Sequence, residues 1–212
     1  MQIADIVHYV RLEVPGSMDL IIVQAMAATA MDFCTRTQVW NEIQPPIPLR
    51  DSVSQYDIDA PTGARAIGVT DVWQGSYTLT PITQTALSAA LPEWQNATAA
   101  RPQFYNVAQD HTLITVYPRP LLAGRAPITL RVRYTPLRTA LVLPDFLIDE
   151  HLDALNDGCK ARLFAQANVP WSNPAAVPAL KEAYELALIN ARIKELHGNV
   201  PSSLRVQPRR FG

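Results

Sequence analysis

Four histidines (His8, His111, His151 and His197) and two cysteines (Cys34 and Cys159) are the residues with metal-ligating or nucleophilic chemistry to offer. No histidine has a second His or Cys at i+3 or i+4, so none can form the helical pair that grips a zinc ion. The densest polar cluster is Asp149-Glu150-His151 with Asp153 and Asp157. A di-iron helix needs Glu-x-x-His, and Ile148 stands where that glutamate would be. The cluster therefore reads as a solvated helix face. Cys34 follows Phe33 in an apolar run, where a thiol serves as a small hydrophobe rather than a nucleophile. The chain has no Gly-x-Ser-x-Gly elbow, no phosphate-binding loop and no dinucleotide fingerprint, and eight glycines give little from which to build one. These residues predict no enzyme, no metal and no cofactor.

Charge narrows the choice of partners. Lys plus Arg number 18 against 19 for Asp plus Glu, a formal net charge of −1, so no global field draws the chain to nucleic acid. The local exception is Arg131 and Arg133, with Arg125 and Arg138 nearby in sequence. They could touch a phosphate backbone, pair with acids on a neighbouring subunit, or simply line an exposed strand face. Trp40, Trp73, Trp94 and Trp171 are too scattered to stack successive bases and suit core or interface anchors.

The elements that carry these residues fall into three blocks. Ile3, Ile6, Val7 and Val10 predict a short first helix. Ser17 is placed to cap a second, in which Ile22, Met26, Ala30 and Phe33 recur at helical spacing to about Thr37. Leu20, Ile21, Val23 and Met31 make its other faces apolar too, which predicts protein on both sides of it. Most of the 18 prolines lie between residues 45 and 144, and there the pattern alternates. The clearest strand is Ile128 to Tyr134; weaker ones fit Val53 to Ile58, Ala66 to Trp73, Ser76 to Thr80, Phe104 to Ala108 and Thr112 to Tyr117. Gln84 to Leu91 fits a short helix. From Asp145, a candidate cap, the stripe Ile148, Leu152, Leu155, Cys159 and Leu163 predicts a long helix; Gly158 inside it points to close approach of a neighbouring backbone. A last helix is expected from Asn173-Pro174 through Val177, Leu180, Tyr184, Ala187 and Ala191 to Gly198.

The expected fold is α+β, a helical frame with an inserted antiparallel sandwich or barrel-like region. Residues 1–44 and 145–198 form the frame, residues 45–144 the β-rich insert, and residues 199–212 an extended basic tail. Arg205, Arg209, Arg210 and Phe211 in that tail are candidate partner-binding residues, and Arg131 and Arg133 are interface or channel candidates. No stretch reaches the roughly 18 apolar residues of a spanning helix, and no export signal opens the chain, so a soluble, unexported protein is expected.

An ordered series of short motifs resembles one family. It begins with Met31-Asp32-Phe33-Cys34-Thr35-Arg36-Thr37-Gln38-Val39-Trp40 and a Pro-rich link into Tyr56-Asp57-Ile58-Asp59-Ala60-Pro61. Leu91-Pro92-Glu93-Trp94, Arg101-Pro102-Gln103-Phe104-Tyr105 and Thr115-Val116-Tyr117-Pro118-Arg119-Pro120 follow, before the Arg131-Val132-Arg133-Tyr134 strand. The helical hairpin adds Leu155 to Leu163, Pro170-Trp171-Ser172-Asn173-Pro174 and Ala191-Arg192. Together they resemble the head-to-tail adaptor, or connector, proteins of tailed bacteriophages. The resemblance implies a structural virion protein in the neck, made in the host cytoplasm. It implies a homo-oligomeric ring, usually a dodecamer matched to the portal, joined to tail or nozzle proteins and in passing contact with DNA, with no catalytic residues and no membrane. A tail-completion or other neck protein would share the solubility, the β-rich middle and the oligomerisation. A hydrolase would instead need a convergent polar pocket, and a DNA-packaging factor a salt-sensitive DNA affinity.

Overall fold

Ile3, Ile6, Val7 and Val10 are all buried on one side of α1 (Ile3–Arg11), which packs on the longer α2 (Asp19–Thr37). The structure, a computed structural model, describes residues 1–90, 93–121 and 126–197. After α2 come β1 (Asn41–Ile43), β2 (Gln55–Asp57), β3 (Ala64–Gln74), β4 (Tyr77–Thr78) and β5 (Thr80–Pro81), then α3 (Gln84–Ala90). Next are β6 (Thr98–Ala99), β7 (Phe104–Val107), β8 (Leu113–Tyr117), β9 (Arg119–Pro120) and β10 (Ile128–Pro136). Two long helices, α4 (Asp145–Phe164) and α5 (Val177–His197), complete the described chain. This is the α+β architecture the sequence pattern predicts.

The strands form two open four-stranded sheets, β1-β10-β3-β4 and β2-β8-β7-β5, with β6 and β9 pairing separately. Most pairings are antiparallel, but β5 with β7 and β6 with β9 are short parallel pairs. β10 behaves as its alternation demands: Ile128, Leu130, Val132 and Tyr134 are buried, while Arg131 is exposed and Arg133 half-exposed. Its buried face continues into the helices. Thr135 donates from Oγ1 to the Met31 carbonyl of α2 at 3.0 Å, and one cluster of buried side chains runs from α1 and α2 through both sheets to α4 and α5. Tyr134 and Gln44 lock the crossing chain, since both Tyr134 Oη and Gln44 Nε2 donate to the Asp59 carbonyl.

Three helix starts differ from expectation. Ser17 does not cap α2; the N-cap is Met18, without a side-chain bond, and Ser17 Oγ donates instead to the Val14 carbonyl at 3.0 Å. Likewise Pro144, not Asp145, occupies the N-cap of α4, leaving Asp145 as the first helical residue with its carboxylate 2.6 Å from the Met1 ammonium. α5 starts at Val177 rather than at Asn173-Pro174, because residues 173–176 close a turn in which Ala176 donates its amide to the Asn173 carbonyl. The expected stop at Gly198 lies outside the described residues.

Gly158 holds the helices close, as its place in α4 predicts, but what approaches it is side chain rather than backbone. A Cβ there would stand 2.6 Å from Thr29 Cγ2 on α2 and 2.9 Å from two ring carbons of Tyr184 on α5. Tyr184 seals that crossing: its hydroxyl donates to Asp32 Oδ2 at 3.0 Å, and burial together with the neighbouring carboxylate pushes its pKa far up. Lys160, nearly buried on the same helix, is neutralised by Glu13 at 3.0 Å and Asp157 at 3.1 Å. Burial pulls its pKa down, but those bonds outweigh it and leave the ammonium charged.

Candidate assembly surfaces

The two cysteines singled out for chemistry are core residues. Cys34 and Cys159 are free and buried, and desolvation pushes each thiol up to about 12, so neither supplies a thiolate. In the acidic stretch around His151, Glu150 takes the Lys194 ammonium, which holds its carboxyl below the ordinary range, and Asp157 takes Lys160. Among the described residues no group of three or more His, Cys, Asp or Glu side chains is arranged to hold a metal ion. Nor is any described helix long and apolar enough to cross a membrane.

His151 is the unusual member. Its backbone leaves the helical region (φ −133°, ψ 15°) and kinks α4, and its ring lies 4.9 Å from that of Phe33. Burial lowers its pKa from the ordinary 6.5, opposed by Glu150 and reinforced by Lys194. The unfolded chain therefore binds a proton that the folded chain refuses as pH falls below 6.5. The His151 contribution to stability is complete above that pH and declines below it. Denaturant unfolding at pH 7 and pH 5.5 is expected to show this loss, and His151→Gln is expected to reduce it.

Strand pairing dissolves the basic stretch seen in the sequence. Arg131 faces Asp71 across β3 with Nη1 3.4 Å from Oδ2, and opens on a hollow with Asn41, Glu150, Lys194 and Glu195. Arg133, two residues on, pairs across the ladders with Asn41 and Gly68 and has no ion pair among the described residues. Arg138 lines a different groove, on α2, and Arg125 lies outside the described residues. So do Arg205, Arg209, Arg210 and Phe211, the candidate partner-binding residues of the tail. Of the tryptophans, Trp40 is buried against Tyr134, with ring centres 5.7 Å apart, and Trp94 meets Tyr117 edge-on at 5.3 Å.

Apolar side chains stand exposed on two of the long helices. Tyr184, Leu188 and Ala191 turn α5 inward, yet Leu186, Ile189, Ile193 and Leu196 stand exposed on its opposite side. The stripe Val177, Leu180, Tyr184, Ala187 and Ala191 describes only the inward face; the signal for the outer one was a second set of apolar residues at spacings of three and four. α2 carries a comparable opening. Its own chain covers one side, but Leu20 is exposed, and with Val23, Ala27, Ala28 and Leu141 it lines a groove of about 770 Å³.

A profile of the SU10 adaptor protein family matches residues 1–209 of this apolar-faced α+β chain. The chain belongs to the SU10 adaptor protein family. No curated protein matches it. Membership agrees with the resemblance carried by the ordered motifs and makes the chain a structural adaptor of a phage. For an SU10 adaptor, exposed leucines and isoleucines on two separate elements suit protein contacts better than a small-molecule site.

Proposed function

We propose that this SU10 adaptor works as a head-to-tail connector: a ring of subunits that docks on the portal, joins the capsid vertex to tail or nozzle proteins, and encloses part of the DNA channel in the virion neck. The observation that carries the reading is the family match over residues 1–209. Charge supports the channel role, because a net −1 suits a passage along which phosphates must slide without being held. In this reading Arg131 stays engaged with Asp71, and Arg133 is the arginine free to brush passing DNA or a neighbouring subunit. Residues 199–212, with Arg205, Arg209, Arg210 and Phe211, are the segment that seats on the portal, and repeated weak contacts around a ring make that seating firm.

Negative-stain imaging of the chain mixed with purified portal rings tests the proposal. An added layer at one end of the portal is the expected result; bare portals at roughly micromolar protein, a concentration at which a ring of weak contacts should saturate, would count against it. Truncation after Gly198 is expected to remove the layer, and a layer that persists would free the tail from its assigned role.

A further inference from the structure

We propose that the outer ridge of α5, formed by Leu186, Ile189, Ile193 and Leu196, seats in the α2 groove of a second copy of this chain. The contact is head-to-tail: ridge of one subunit, groove of the next. It deepens the ring in the proposed function and is made by residues of this chain alone.

The ridge is a continuous feature. At 3.6 residues per turn these four side chains, preceded by Glu182, fall within one side of α5, directly away from Tyr184, Leu188 and Ala191. They are 59%, 54%, 48% and 74% exposed, in a helix whose inward face already holds it to the body. A helix apolar on two opposite sides is suited to burial on both, and the described residues of the chain bury only one of them.

The groove has the complementary shape and charge. It runs along the amino-terminal half of α2, walled by Leu20 and Leu141, at 65% and 67% exposure, and floored by Ala27 and Ala28, whose small side chains admit a helix closely. The span from Leu20 to Ala28 is about 12 Å, and that from Leu186 to Leu196 about 15 Å, at 1.5 Å per residue. The charged residues of the groove are Arg138 and Arg162, both basic, whereas the only charged residue in the ridge line is Glu182. Arg162 already leans on Asp32 at 3.6 Å, while Arg138 and Glu182 have no ion pair among the described residues. Docking ridge to groove gives each a partner of opposite sign.

A subunit cannot satisfy itself in this way. Its α5 meets the carboxy-terminal half of α2, where Arg36 grips Glu185 and Tyr184 reaches Asp32, so its ridge points away from its own groove. Ridge and groove are also different surfaces, and a contact between unlike surfaces repeats in one direction, which is the kind of contact a ring is built from when the rotation between neighbours closes. A ridge-to-ridge pair would stop at two copies and leave every groove open.

Cysteine cross-linking of the full chain decides among these arrangements, with and without portal rings present. The native thiols are buried, so introduced ones dominate. Ile189→Cys and Leu141→Cys, treated together with a short bis-maleimide, are expected to give a one-to-one product. The double variant should give a ladder of oligomers, and Ile189→Cys alone should stay uncoupled. Adding Glu182→Arg to the ridge variant should cut the yield severalfold, and Arg138→Glu in the groove variant should restore it. Homodimers of Ile189→Cys as the main product would overturn the proposal in favour of ridge-to-ridge pairing. A yield no higher than that of a cysteine placed at exposed Asp110, in both settings, would also overturn it. A portal layer without the cross-link would sink this contact and leave portal docking intact; a cross-link with bare portals would do the reverse.

Discussion

Gly158→Ala is expected to destabilise the protein by about 1–3 kcal/mol, against the usual direction of a Gly-to-Ala change within a helix. In an isolated helix the substitution would gain roughly 1 kcal/mol, because alanine loses less backbone freedom on folding. Here the added methyl must occupy a point 2.6 Å from Thr29 Cγ2 and 2.9 Å from the Tyr184 ring, so it collides with two helices at once. Neither neighbour retreats easily, since Thr29 is buried with its hydroxyl on the Ala25 carbonyl at 2.8 Å and Tyr184 is tied to Asp32. The expected readout is a melting temperature lower by several degrees, at about 2–4 °C per kcal/mol for a chain of this size. Thr29→Ser keeps the hydroxyl and deletes the clashing methyl, so the double variant should recover part of the loss. A Gly158→Ala protein as stable as the parent would show that α4 can stand off from α2 and α5 without cost. The same shift would move the α5 ridge relative to the α2 groove, so ring assembly should be more sensitive than melting temperature.

How far the sequence revealed this structure depended on whether a pattern was local. β10 was legible because the alternation from Ile128 to Tyr134 on a central strand is decided by one buried face, and the inward stripes of α4 and α5 were legible for the same reason. β1 was missed: Asn41-Glu42-Ile43 is a three-residue edge strand with no alternation of its own, held by its register with Arg131 to Arg133. β6 and β9 were also missed, as two-residue strands whose pairing joins segments about twenty residues apart. Cap residues misled because the chain closes those helix starts with turn bonds, Ile21 amide to Met18 carbonyl and Leu147 amide to Pro144 carbonyl, rather than with side chains. The candidate site shows the same limit. Arginines adjacent in sequence became separate features once β3 laid Asp71 beside Arg131, a pairing that no local pattern announces. The outer ridge of α5 was written in the sequence, but a stripe is called outer only once the inner one has found its partners.

Phe33→Ala is expected to cost about 3–5 kcal/mol, enough to threaten the fold of a chain of ordinary stability. Phe33 is fully buried, and its ring centre lies 4.9 Å from His151 on α4 and 6.3 Å from Tyr184 on α5, so the three long helices meet on this one side chain. Truncation leaves a ring-sized cavity that none of them can fill without breaking other contacts, Tyr184 being fixed through its hydroxyl and His151 sitting at a kink. The milder Phe33→Leu should remain folded with a smaller loss, and it carries the more discriminating readout. With the aromatic wall gone, water reaches the imidazole, the desolvation that lowers its pKa weakens, and the folded-state value should move back toward 6.5. The gap between folded and unfolded proton binding then narrows, so the loss of stability between pH 7 and pH 5.5 should be smaller in Phe33→Leu than in the parent. NMR titration of His151 gives the pKa, and denaturant unfolding at the two pH values gives the stability. A lowered His151 pKa that survives Phe33→Leu unchanged would place the cause of that burial elsewhere, and a loss below about 1 kcal/mol in Phe33→Ala would show that the helices are not joined through this ring.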